Sequence, residues 1–181
     1  FQMENFLLKK EKLIFLNKKP LSFNSKDELL ISFDWITNCF PEDVLKIRNA
    51  EHVLKSLSNQ EKISLENHLN FLSNYKNSHR IDFILKYKKD NLYVGGVSLV
   101  KTLLGWEIGK YIGDKNFEKR GIALRASKSL ITFISEEFDS LSEIHAKTKI
   151  KNIANIKLNE KIGFKTEKIL DHEFLLMKKT I

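Results

Sequence analysis

The spacing of hydrophobic positions changes partway along the chain. Ile81, Phe83, Leu85 and Tyr87 alternate with Asp82, Ile84, Lys86 and Lys88, the two-residue period of a strand. Asp90-Asn91 marks a turn, and Leu92 to Val100 reads as the returning strand of a hairpin. Glu107 to Ile112 is expected as a third strand, and Ile144, Ala146, Thr148 and Ile150 outline another. Between these two, Ala123, Ala126, Leu130, Ile134 and Phe138 step by three or four, which predicts a helix from Gly121 to Phe138. A second helix is predicted from Asn152 to Ile162, capped by Asn152 and stopped at Gly163. Its apolar stripe is read as Ala154, Leu158 and Ile162. Phe164 to Ile169 and Glu173 to Lys178 form a closing hairpin.

The first half carries helical signals. Leu30 to Ile36 reads as a short strand, and Pro41-Glu42-Asp43 then opens a helix, with proline in the first turn and acids at the positive dipole end. Val44, Leu45, Ile47, Val53, Leu54 and Leu57 support one or two helices, and Ser64 starts another through Leu65, Leu69 and Leu72. Phe6 to Leu8 and Leu13 to Leu16 are expected as two short strands, ended by Asn17-Lys18-Lys19-Pro20. The order of elements predicts an α/β fold: a mixed, mostly antiparallel twisted sheet of about six or seven strands flanked by helices. Residues 3–30 are read as an N-terminal extension and 31–181 as the domain proper; Phe1-Gln2 ahead of Met3 reads as the remnant of a cleavable tag and is set aside.

The 181 residues suit one domain with a real core. No apolar run is long enough to span a bilayer, and Lys9, Lys10, Glu11 and Lys12 break up any secretory h-region. The single Cys39 excludes an internal disulfide and a paired-cysteine zinc site, and fits a reducing, cytoplasmic setting; no metal is expected. Lys plus Arg exceed Asp plus Glu by 31 − 23 = 8. Only four of the basic residues are arginine, which argues against base-reading nucleic-acid binding and for attraction to small polyanions. Trp35 and Trp106 are expected in the core or in pocket walls; His52, His79, His145 and His172 are expected at the surface.

The richest segment runs from Glu107 through Tyr111, Ile112 and Gly113, then Glu118-Lys119-Arg120-Gly121-Ile122-Ala123 at the head of a long helix. A strand, a turn with a small residue and a helix N-terminus make an anion site, because free backbone N–H groups and the dipole point outward. Gly121 lets backbone approach a phosphate closely, and Lys119 and Arg120 add charge, so a pyrophosphate is expected there. Asn152, Asn155 and Asn159 fall on one face of the later helix, where amides can bond a ligand.

Together these segments resemble the acetyl-coenzyme A core of the GNAT N-acetyltransferases. Glu118-Lys119-Arg120-Gly121-Ile122-Ala123 is similar to the family's Arg/Gln-x-x-Gly-x-Gly/Ala turn, and Asn152 to Phe164 to its Asn-x-x-Ala/Ser-x-x-Leu-Tyr-x-x-x-Gly-Phe helix. Glu118 departs from the first motif; Asn155 and Asn159 depart from the second, Asn159 standing where the family has Tyr. The resemblance covers about residues 31–178 in element order. It implies acetyl-CoA as co-substrate, with pyrophosphate on residues 119–123, pantetheine along the backbone of Tyr111 and Ile112, and the acetyl carbonyl polarised by a backbone N–H at Tyr111 to Gly113. Asn152, Asn155 and Lys161 are implied as further contacts, Glu107 as general base and Asn159 as the group facing the leaving thiolate.

The stretch with Arg48, Asn49 and, later, His68 resembles the GNAT subgroup of ribosomal-protein N-terminal acetyltransferases and nucleotide-linked amino-sugar acetyltransferases of the pseudaminic acid pathway. This implies a small amine acceptor bound by Arg48, Asn49 and His68, with a nucleotide-linked amino sugar ahead of a protein N-terminus. A non-catalytic CoA-binding protein is the reading of another class, which Asn159 in place of Tyr would favour. No nucleic-acid or membrane partner is expected, and a homodimer is compatible with the resemblance.

Overall fold

A computed structural model describes residues 2–181. Its elements, in chain order, are α1 (Gln2–Phe15), β1 (Phe23–Asn24), β2 (Leu30–Trp35), α2 (Pro41–Arg48), α3 (Glu51–Ser56), α4 (Leu65–Ser73), β3 (Arg80–Tyr87), β4 (Leu92–Thr102), β5 (Gly105–Ile112), α5 (Ile122–Glu137), β6 (Glu143–Lys149), α6 (Ile153–Ile162), β7 (Lys165–Leu170) and β8 (Phe174–Thr180). The strands form one sheet in the order β1-β2-β3-β4-β5-β6-β8-β7, eight strands rather than six or seven, because the short β1 adds an edge beside β2. All neighbours are antiparallel except β5 and β6, which the α5 crossover forces to run parallel.

Ile81, Asp82, Phe83, Ile84 and Leu85 are all buried, so β3 is covered on both faces instead of half-exposed. On one face Phe83 meets Phe133 of α5 edge-on, with ring centres 5.6 Å apart. On the other, Ile84 faces the helices α2 and α4 across a cavity. Trp35 and Trp106 lie in the core as expected.

The two strands expected before residue 17 are instead the single helix α1. Phe6, Lys10 and Leu13 are its buried positions, at i, i+4 and i+7. Phe6 stacks on Trp106 and Phe138. A lysine in the middle of the apolar stripe hides the helical period. Lys10 is fully buried because its Nζ donates to the carbonyls of Tyr75 and Ser78 and lies over the Tyr75 ring; burial lowers its pKa to about 8. Among the described residues no helix is long and apolar enough to cross a membrane.

Candidate active site

The parallel pair β5 and β6 is the unusual joint of the sheet. β5 pairs with β4 from Gly105 to Ile112, but touches β6 at one rung only, Glu107 with His145. Beyond that rung the strands splay, and the edge of β5 from Ile108 to Ile112 has no ladder partner on that side. Two cavities open around the splay. One of about 360 Å³ lies under α2 and α4, against Arg48, His68, Phe71 and Tyr111. The other, about 380 Å³, runs between β5 and β6 past Glu107, Lys147, Thr148, Asn152 and Asn155. Arg48, Leu57, Ser98, Gly109 and Lys110 line both, so the cavities meet at Gly109–Lys110.

Past the end of β5 the chain turns close against α2. A Cβ at Gly113 would lie 2.4 Å from the carbonyl oxygen of Ile47, so only glycine fits. Lys119 and Gly121 both take left-handed backbone, φ 59° and 74°, and no side chain caps the first turn of α5. Its leading N–H groups therefore face outward as a cradle for an anion. Lys26, from the turn after β1, lies over Gly121, 3.0 Å from where a Cβ would sit. That turn is clamped to the cradle: Lys26 N–H donates to the Arg120 carbonyl, and Arg125 donates to the Asn24 carbonyl. The Arg120 guanidinium is already paired with Asp27 and bonded to the Asn116 carbonyl. Lys119 is exposed, and Glu118 sits 3.4 Å from His52.

The α6 stripe is met in part: Ile162 is buried and Leu158 packs against the core, but Asn155 and Asn159 turn inward with them. The inward stripe is Asn155, Asn159 and Ile162, while Ala154 is exposed. Asn159 is 0% exposed. Its Nδ2 donates to Thr148 Oγ1 at 2.9 Å and toward Met177 Sδ, and its Oδ1 accepts from Lys110 Nζ. Asn155 also donates to Thr148 Oγ1, and Asn152 caps the helix by accepting from the Asn155 N–H. These amides hold the helix to β6, because a buried amide must be satisfied and Thr148 is the nearest acceptor. Lys161 is exposed in the last turn, at the end of α6 away from Asn152.

Glu107 lines the second cavity, and burial raises its pKa, opposed by Lys147. On the acceptor side Arg48 Nη1 and His68 Nε2 are buried with no hydrogen-bond partner among the described residues, and burial lowers the pKa of both side chains. Asn49 is committed elsewhere: its side chain makes two bonds to the backbone of Ile63, tying the loop before α4 to α2. The expected surface histidines divide. His172 is exposed; His145 is buried beside Glu107, His79 stacks under Phe6, and His52 Nε2 donates to the Ile112 carbonyl at 2.8 Å. Lys110, Lys26 and His52 are the site groups the sequence reading passed over. Lys110 had a signal: it lies between Ile108 and Ile112 on the core-facing side of its strand.

A family model described as an acetyltransferase (GNAT) domain matches residues 40–165. The chain belongs to the GNAT acetyltransferase family. It is therefore an acetyl-CoA-dependent N-acetyltransferase. Among solved structures, a domain from Methanocaldococcus jannaschii is 22% identical with a TM-score of 0.70, over 83% of this chain and 98% of that one. The ribosomal-protein-S5-alanine acetyltransferase of Vibrio fischeri is 17% identical, TM-score 0.66, over 88% and 96%. The spermidine N-acetyltransferase of Vibrio cholerae, in complex with CoA and spermine, is 13% identical, TM-score 0.70, over 83% and 95%. A search of curated proteins finds no match. The geometry of this GNAT domain fits the co-substrate: the cradle at Gly121 is one that a Cβ would fill, and the β5 edge lies open beside it.

Proposed function

We propose that this GNAT enzyme acetylates the primary amine of a small, anionic acceptor, with a nucleotide-linked amino sugar as the best fit. One observation carries the reading: the acceptor cavity holds two buried nitrogens, the donor Arg48 Nη1 and His68 Nε2, that have no hydrogen-bond partner among the described residues. A buried donor left unpaired costs about 1–3 kcal/mol, which a phosphate oxygen would recover. Phe71 and Tyr111 give the same cavity aromatic walls for a sugar ring. Its volume suits a small molecule.

The donor supplies an activated acetyl group as a thioester. Residues 119–123, with Lys26 above them, hold its pyrophosphate, and the Ile112 N–H, on the open edge of β5, is offered to the pantetheine arm or the acetyl carbonyl, the Ile112 carbonyl being held by His52 and the Gly113 N–H by Val94. Glu107, at the same splay and with a pKa raised by burial, takes the amine proton. A general base works best with a pKa nearer to the operating pH, and burial moves Glu107 that way.

Turnover on a panel of nucleotide-linked amino sugars, polyamines and N-terminal peptides tests the acceptor. The anionic sugars should give the highest kcat/KM. Arg48→Met should raise their KM by about tenfold or more, the loss of a charge-assisted bond, and leave neutral amines unaffected. Equal or better turnover of peptides or polyamines would overturn the sugar-nucleotide reading.

A further inference from the structure

Lys110 is an oddity of the site. It projects from the core side of β5, between Ile108 and Ile112, to the place where the two cavities meet. No carboxylate among the described residues pairs with it. Its one side-chain partner is Asn159 Oδ1, at 2.5 Å. Asn159 cannot turn away, because its Nδ2 is anchored on Thr148 and against Met177. A buried lysine is normally neutralised by an acid or a set of carbonyls, as Lys10 is by Tyr75 and Ser78. Lys110 is held by a single neutral amide and has two N–H bonds left over, beside a cleft whose floor is the unpaired edge of β5.

We propose that Lys110 delivers a proton to the sulfur that leaves during acetyl transfer, with Asn159 as the positioning residue that fixes its ammonium. This deepens the acetyl-transfer reading and does not depend on which amine is the acceptor. The carbon–sulfur bond breaks with its electron pair on sulfur. An Nζ–H bond of Lys110 breaks, and that proton forms the S–H bond. Lys110 is left neutral and Glu107, having taken the amine proton, is left neutral as well. One proton passed from Glu107 to Lys110 through solvent in the shared cavity restores both.

Desolvation lowers the pKa of Lys110 to about 8, close to the roughly 8.5 of a free thiol, so the transfer is nearly balanced. The surrounding ionisable groups do not supply a better donor. From β3, Asp82 is paired with Arg80. From α2 and α4 come Arg48, a poor acid, and His68, whose pKa is lowered. From β5 come Glu107, which is the base, and Tyr111, whose pKa burial pushes far up. Lys147 of β6 lines the far wall of the second cavity.

The test is the ultraviolet absorbance of the thiolate of enzyme-bound CoA, titrated with pH, with calorimetry on CoA and desulfo-CoA. In the wild type the bound thiol should titrate at least one unit below free CoA, because the ammonium stabilises the thiolate. In Lys110→Met it should return to the free value, with desulfo-CoA affinity unchanged. Lys110→Arg keeps the charge and should keep the lowered thiol pKa, yet lose turnover by about 10²-fold, since a guanidinium does not give up its proton. The pH profile separates the two ends of the relay. The rate falls at high pH as Lys110 deprotonates and at low pH as Glu107 protonates; Lys110→Arg removes the first limb and Glu107→Gln the second. A bound thiol in the wild type that titrates like free CoA overturns the role of Lys110 even if every variant misfolds. Absence of saturable CoA binding overturns the cofactor reading itself.

Discussion

The N-terminus of α5 and the inward face of α6 both look, in sequence, like ligand contacts, and the structure uses them in opposite ways. At α5 the donors are backbone N–H groups, which no side chain among the described residues caps. At α6 the donors are asparagine amides, which Thr148 and Met177 occupy, while Asn159 Oδ1 accepts from Lys110. A backbone donor is fixed in place by the fold and stays free unless a neighbour is built to meet it. A side-chain amide near a buried acceptor is captured by it, since leaving either unpaired is costly. Polar residues lined up on one helix face therefore report a polar neighbour, and only the geometry says whether that neighbour is a ligand or a strand.

Three substitutions sharpen or break this contrast. The largest effect is expected at Gly121. Gly121→Val forces a β-branched residue to φ 74° and pushes against Lys26, and should weaken acetyl-CoA binding by about 100-fold or more, from strain of about 1–3 kcal/mol plus loss of the close backbone approach. Calorimetry reads it, with circular dichroism to show that the fold survives; binding within about threefold of wild type would mean that the anion sits elsewhere.

Asn159→Ala comes next and should act on stability. It strands Lys110 and removes one partner of Thr148, at about 1–3 kcal/mol, or a Tm lower by about 2–4 °C per kcal/mol for a chain of this size. Acetyl-CoA affinity should barely move. A large loss of affinity with an unchanged Tm would make Asn159 a ligand contact after all. The smallest effect is expected for Asn152→Ala, which removes a helix cap for about 1 kcal/mol, visible in thermal unfolding and absent from the binding isotherm.

Long periodic segments were legible from sequence, because a sheet strand or an amphipathic helix repeats its signal several times. The α5 helix and strands β3 to β6 emerged within a residue or two of their observed ends. The α1 helix did not, since Lys10 interrupts its stripe and the compensating carbonyls of Tyr75 and Ser78 lie far along the chain. On α6, Asn155 and Asn159 share a face as expected and Asn152 is the cap, but the hydrophobic stripe does not show that this face also turns inward. Ile162 belongs to the same stripe as Asn155 and Asn159, and a buried amide carries no hydropathic mark. Arg48 and His68 were legible as chemistry; that their buried nitrogens are unpartnered among the described residues depends on how α2 and α4 pack over β3, which no local pattern encodes.

The single rung between β5 and β6 has one more consequence. An unpaired strand edge at the outside of a sheet invites a second chain to add a strand, which is how many β proteins aggregate. Here the unpaired edge is in the middle of the sheet, recessed between two halves that meet again at Glu107 and His145. The open groups therefore face a crevice inside the sheet and not its rim. The fold thus carries in its interior a feature that, at the rim of a sheet, causes self-association.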